Sequence, residues 1–368
     1  MVNLTIGEPD YDTPDHVKTA AVDAIWRGDT KYTHGKGTLP LRRAIVQKFK
    51  RDNDLTYDVE EVFVGAGAKQ VIYNAFATTL NHGDEVIIPA PYWVSYPDIA
   101  QYHGGQPVIV PCSESSGYKL RADALAAVIT ARTRWLVLNS PNNPTGAVYD
   151  EQELRALGDV LKRHPHVWVM TDDIYEHLRF SDSKFTTFAQ AVPELTERVL
   201  TINGVSKAYA MTGWRIGYAG GPRMLIDAMS KLQSQSASCV TSISQEAARI
   251  ALIGEQGSIR ENVKNLHEKR DLALSILEGT QGLSIVEPEG AFYLFPSCAG
   301  LMGKRTADGG RIDSDDDLVL HLLEQGGVAV VSGSAYGLSP AFRISIATSV
   351  DELVDGCQRI RQCCNALV

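Results

Sequence analysis

Short apolar runs alternate with longer amphipathic stretches along most of the chain. Val62–Val64, Glu85–Ile88, Trp135–Leu138, Val167–Met170, Val199–Ile202 and Ile216–Ala219 are apolar over nearly their whole length rather than at every second position. That pattern predicts strands buried on both faces. Helical patterns lie between most of them. Asp150 to Arg163, for example, opens on an acidic cap and carries Leu154, Leu157, Val160 and Leu161 at helical spacing. The alternation predicts an α/β protein whose mostly parallel sheet is sandwiched by helices. From about Ser242 to Leu277 the pattern predicts helices leading out of that layer. Beyond it the order changes to strand, strand, helix, strand, strand, helix, which reads as a smaller α+β unit. We therefore expect a boundary near residue 270, with a large domain over 28–270 and a small one built from 1–27 and 271–368. Gly303 to Asp317, rich in Gly, Asp and Ser, reads as a surface loop.

Composition narrows the classes. The 368 residues, 44% hydrophobic and 21% charged, suffice for two cores. A formal net charge of −9 without a basic run argues against nucleic acid and anionic membrane as partners. There is no apolar run of membrane-spanning length and no basic, apolar leader, so the expected location is cytoplasmic. Cys112, Cys239, Cys298, Cys357, Cys363 and Cys364 lack C-x-x-C spacing and read as reduced thiols. The histidines, His34, His103 and His177 among them, show no metal spacing either, and no metal is expected.

In an open α/β sheet, ligands gather at the carboxyl ends of the strands. After Val62–Val64 comes Gly65-Ala66-Gly67-Ala68-Lys69, a small-residue turn opening a helix, whose free N–H groups suit a phosphate. It matches neither G-x-G-x-x-G nor the P-loop. After Glu85–Ile88, the turn Pro89-Ala90-Pro91-Tyr92-Trp93 carries an aromatic pair, suited to stacking on a flat ring or to core packing. After Trp135–Leu138, two prolines bracket Asn142 and Asn143 in Ser140-Pro141-Asn142-Asn143-Pro144-Thr145-Gly146. After Val167–Met170, Asp172 and Tyr175 are spaced to reach opposite sides of one ring. Finally Ser206-Lys207 precedes Arg215 by eight positions within Ser206–Gly217. A Schiff-base lysine needs a neighbouring cation or a dry pocket to shed its proton, and Arg215 would supply the cation while clamping a phosphate.

Together, Ser140–Gly146, Asp172–Tyr175 and Ser206–Gly217 resemble the fold type I pyridoxal-phosphate enzymes of the class I aminotransferase family, nearest its bacterial aspartate and aspartate/prephenate branch. The similarity runs from Leu4 to Ser349. The resemblance implies pyridoxal 5'-phosphate as cofactor and a homodimer acting on amino acids and 2-oxo acids by a ping-pong cycle. It makes Lys207 the Schiff-base lysine and proton shuttle, and sets Asp172 against the pyridine nitrogen. Tyr175 and Asn143 would bond the ring oxygen, and Trp93 would stack on the ring. Arg215, Ser206 and the Gly67-Ala68-Lys69 turn would hold the phosphate, joined by Tyr32 from the other subunit. Arg343 and the Gly7 backbone would take the substrate α-carboxylate, and Lys69 its distal carboxylate.

Some positions depart from the family. Ala68 replaces a usual glycine, Gly204 a phosphate-binding serine and Ile346 a common tyrosine, while Gln233–Ser238 should approach the partner's site. The chain opens almost at Gly7-Glu8-Pro9-Asp10, without the helix the family places ahead of it, which reads as a shortened start or a shift of specificity. The expected pair is aspartate or glutamate with 2-oxoglutarate or oxaloacetate. Alternatives are an aromatic, prephenate-like or specialised substrate, a β- or γ-lyase on the same scaffold, and a non-catalytic binding protein.

Overall fold

The computed structural model describes residues 1–181 and 184–368. Seven strands form the central sheet, in the spatial order 62–65, 217–220, 199–204, 168–172, 133–139, 85–90, 106–111. Gly217–Gly220 runs antiparallel to both its neighbours and the remaining pairs are parallel. Alternate side chains serve opposite faces, as the strand period requires. Val64, Ile87, Leu136, Leu138 and Val169 enter one apolar cluster, while Phe63, Val86, Trp135, Val137 and Met170 enter another across the sheet. Helices on both sides bury these faces, which is why the strand runs are apolar throughout.

One strand of the sheet is absent from the sequence-based reading. Gln106–Pro111 pairs in parallel with Glu85–Ala90 at the sheet edge. Its two prolines disguise it, and an edge is where a strand tolerates them, because the missing N–H can face away from the ladder. The helix expected from Asp150 spans Glu151–Leu161, with Asp150 and Glu153 closing a capping box.

The second unit is built round Tyr293–Leu294, Phe342–Ser345 and Val331–Ser332, paired in one antiparallel sheet. Val2–Asn3 pairs in parallel with Val328–Ala329 beside it. The element order here differs from the expected one: Ser284 meets Ser297 only through an isolated bridge, so one strand precedes the helix Asp315–Glu324 and three follow it. That helix also shortens the expected loop at Gly303–Asp317. Ser314 caps it reciprocally with Asp317, and Asp315, Asp316 and Asp317 complement the positive end of its dipole.

The two cores meet along the helix Gly257–Leu277, which crosses residue 270 unbroken. Ile259 packs into the large core and Leu266, Ala273 and Leu277 into the smaller one. At the other end of the chain Val2 and Leu4 lie in the smaller core, while Val17 and Ala21 of the helix Asp15–Trp26 lie in the larger. The segment between them, residues 5–13, therefore bridges the units over the carboxyl edge of the sheet. Among the described residues no helix is long and apolar enough to cross a membrane, and the six cysteines are free.

Candidate active site

A cavity of about 600 Å³ opens at the carboxyl ends of the strands, between the sheet, the smaller unit and the N-terminal segment. Gly7, Ala68, Lys69, Trp93, Asn143 and Asp172 line it. So do Tyr175, Ser206, Lys207, Arg215 and Arg343. These segments are far apart in sequence, and the crossovers of the parallel sheet bring them to one edge.

The small-residue turn owes its shape to close backbone approach. Gly67 holds φ +88° ahead of the helix Ala68–Thr79. A Cβ there would lie 2.3 Å from Arg215 Nη2, and a Cβ on Gly217 would lie 2.1 Å from the Ala68 nitrogen. The glycines thus let the guanidinium and the helix N-terminus share one small space, although Gly67 itself does not line the cavity. Arg215 sits at φ 57°, a conformation that costs a non-glycine residue about 1–2 kcal/mol. It donates to the carbonyls of Thr212 at 2.9 Å and Ala66 at 3.1 Å.

Lys207 is buried and its Nζ donates to the Gly7 carbonyl at 2.5 Å. Its pKa is lowered from 10.5 to about 8, first by burial and then by the Arg343 and Arg215 charges, with Glu8 and Asp172 opposing. Dryness does most of what the sequence reading assigned to Arg215. Asp172, at the end of its strand, is pushed up to about 6 by burial. Its Oδ2 accepts from the Tyr96 hydroxyl at 2.7 Å, and its other oxygen from the Ile174 N–H at 3.4 Å.

Arg343 is buried in its strand. It donates to Asn143 Oδ1 at 3.0 Å and the Thr5 carbonyl at 2.6 Å, while its Nε has no partner. The guanidinium lies over the rings of Tyr293 and Tyr336, 4.4 and 5.1 Å from their centroids. No carboxylate among the described residues is within ion-pair reach of it, so this is a buried charge that lacks a counter-ion. The Lys69 ammonium rests 4.7 Å above the Trp93 ring. Of the aromatic pair, Trp93 faces the cavity, whereas Tyr92 packs beneath Gly337.

Tyr32, expected to act at a second subunit's site, is 90% exposed and lies outside this chain's own cavity. Several expectations are revised. Gln233 turns inward, donating to the carbonyls of Gly35 and Val64, and only its neighbours 234–238 face out. A Cβ on Gly204 would meet Ile174 Cδ1 at 2.9 Å and the Ile216 carbonyl at 3.0 Å, so the strand is packed for glycine. Ile346 is buried in the smaller core. His177 joins Asp52 and Glu176 in a cluster whose cation is the buried Lys48. The sequence reading did not single out Glu8, Tyr96, Asn139, Thr212, Tyr293 or Tyr336, all of which line the cavity. For Tyr96 a signal existed, since it follows Trp93 by one short turn at the start of the helix Ser95–Tyr102.

Comparison with known proteins agrees with this geometry. The family model for aminotransferase class I and II matches residues 1–360. An aspartate aminotransferase of Rhizobium meliloti is 54% identical over 367 residues, covering 100% of this chain and 90% of the relative. A probable aspartate/prephenate aminotransferase of Rhizobium leguminosarum bv. phaseoli is 54% identical over 366 residues, covering 100% of this chain and 92% of its own. The crystal structure of the aspartate aminotransferase from Rhizobium meliloti superposes with a TM-score of 0.98 at 54% identity, covering 100% of this chain and 92% of that one.

Proposed function

Since the chain belongs to the class I and II aminotransferase family and is a transaminase, we propose that it exchanges the amino group of aspartate or glutamate with 2-oxoglutarate or oxaloacetate, using pyridoxal 5'-phosphate. One observation carries this reading. A desolvated lysine, a buried carboxylate and a guanidinium without a counter-ion face a single cavity.

The residues present fit that cofactor. The space that a Cβ on Gly67 or Gly217 would fill is bounded by Arg215 and by the free N–H groups of a helix start, which is a donor set for a phosphate. The bound cofactor supplies an electrophilic carbon and an electron-withdrawing ring. Around it, Lys207 offers an amine that is partly neutral near pH 8 and takes the proton from the substrate Cα. Asp172 keeps its charge opposite a protonated ring nitrogen, because a facing cation lowers a buried carboxyl's pKa. Tyr175 and Asn143 would donate to the ring oxygen and Trp93 would cover the ring. Ser206 joins Arg215, Ala68 and Lys69 at the phosphate, and Tyr32 reaches it from a second subunit of a cytoplasmic homodimer. Arg343 and the Gly7 backbone hold the α-carboxylate, which supplies the missing counter-ion. Lys69 takes the distal carboxylate.

An aromatic or prephenate-like acceptor is the second reading. It is favoured by the apolar cavity wall of Ile6, Val94, Val331 and Tyr336 and by the name of the Rhizobium leguminosarum relative. The test is the absorption spectrum of the purified protein before and after single amino acids, beside Lys207→Ala. Replacement of the lysine-bound band by an aminated-cofactor band, with a matching 2-oxo acid, supports the proposal and names the donor. Pyruvate and ammonia without an acceptor would point to a lyase, and a protein that binds no cofactor would refute the assignment.

A further inference from the structure

Tyr293 stands on the strand Tyr293–Leu294 of the smaller unit, and Tyr175 follows the strand Trp168–Asp172 of the larger. Their hydroxyls meet at 3.0 Å, and both side chains are buried at the cavity wall. Two phenols at this distance share one hydrogen bond, so one donates and the other keeps its own O–H for a further acceptor. The surroundings settle the direction. The Arg343 guanidinium lies 4.4 Å from the Tyr293 ring centroid; its charge acts on Tyr175 too, but there Asp172 opposes it, whereas at Tyr293 no carboxylate does. A cation over a ring makes its phenol the stronger acid and the better donor, and a neighbouring carboxylate does the opposite. The Gly7 backbone fences the same hydroxyl, since a Cβ there would lie 3.0 Å from Tyr293 Oη.

We propose that Tyr293 is a positioning residue for the transaminase reaction: its O–H donates to the Tyr175 oxygen and so aims the Tyr175 proton into the cavity, at the cofactor's ring oxygen. The inference rests on the cofactor reading above. It adds that the hydrogen-bond chain runs from one structural unit to the other, so that Tyr175 donates fully only when the smaller unit is seated. Because hydrogen bonds in series polarise one another, removing the Tyr293 hydroxyl weakens Tyr175 as a donor without touching the cofactor.

The experiment is a pH titration of the bound cofactor's absorption in the holoenzyme, for wild type, Tyr293→Phe, Tyr175→Phe and the double variant. The Tyr175→Phe change should raise the pKa of the lysine-bound chromophore. Tyr293→Phe should raise it less, by about half a unit to one unit, as expected for one neutral hydrogen bond. In the double variant Tyr293→Phe should add nothing further. Additive shifts, or no shift with Tyr293→Phe, would overturn the proposal. If Tyr293→Phe fails to load cofactor, Tyr293→His returns a donor on a ring, and failure of that variant to restore the band also counts against it. Absence of a band in wild type would instead be a failure of the cofactor reading.

Discussion

The Lys207 ammonium and the Gly7 carbonyl are joined by a 2.5 Å hydrogen bond across 200 residues of sequence. Around it the Tyr11 hydroxyl donates to the Lys207 carbonyl at 3.2 Å, the Thr13 hydroxyl to the Ala210 carbonyl at 2.7 Å, and Thr212 to Glu8. The N-terminal segment is therefore stitched onto the lysine turn, and it helps to dry the Lys207 amine.

That dryness sets a pH dependence. With a pKa near 8, Lys207 is protonated and unreactive below that value and a free amine above it. The rate at which cofactor-free protein forms its chromophore with pyridoxal 5'-phosphate should rise with pH and be half-maximal near 8. A midpoint near 10.5, the ordinary lysine value, would show that the amine is solvated.

In the proposed function Arg343 binds by fork geometry rather than by charge alone. Arg343→Lys keeps the charge but cannot reach Asn143, the Thr5 carbonyl and a carboxylate together. Loss of one charge-assisted hydrogen bond predicts a fall in kcat/KM of about ten- to hundredfold. Retention of wild-type kcat/KM in steady-state assays would remove Arg343 from the carboxylate site.

Gly217 has no room for a side chain. In Gly217→Ala the new methyl would sit 2.1 Å from the Ala68 nitrogen, a backbone atom at the start of a helix. Overpacking of this kind costs about 1–3 kcal/mol, and here it also displaces the proposed phosphate cradle. Thermal unfolding and cofactor titration should both worsen; unchanged cofactor affinity would show that the cradle lies elsewhere.

Asp173 tests a buried carboxyl that points away from the cavity. Burial, with the charges of Glu176 and Asp172, raises its pKa from 3.8 to about 7, against the Thr171 hydrogen bond. A raised carboxyl binds its proton more tightly folded than unfolded, so its stabilising contribution is complete below 3.8 and disappears as the pH climbs through about 7. Asp173→Asn keeps the acceptor for Thr171 at 2.6 Å and cannot ionise. Above the carboxyl's pKa the variant should be the more stable, by on the order of 1 kcal/mol, with the advantage shrinking as the medium is acidified. A variant less stable than wild type at alkaline pH would contradict this.

The sequence alone determined six of the sheet's seven strands and the turns at their carboxyl ends. Strands buried on both faces must be apolar at every position, so Val62–Val64 and Trp135–Leu138 announce themselves, and glycine, proline and capping residues mark the turns that follow. Lys207, Asn143 and Arg215 sit in those turns and Asp172 ends its strand just before one, which is why they could be proposed without coordinates. Gln106–Pro111 could not be read, because an edge strand relaxes the rule that excludes proline. Tyr293 and Tyr336 were equally hidden, since a buried tyrosine has the same local pattern whether it fills a core or lines a cavity. Only the packing of the smaller unit and the N-terminal segment against the sheet decided which hydroxyls meet, which guanidinium is left without a counter-ion, and how far the lysine is dried. Those properties depend on distances between segments up to 338 residues apart, such as Thr5 and Arg343, and no local pattern encodes them.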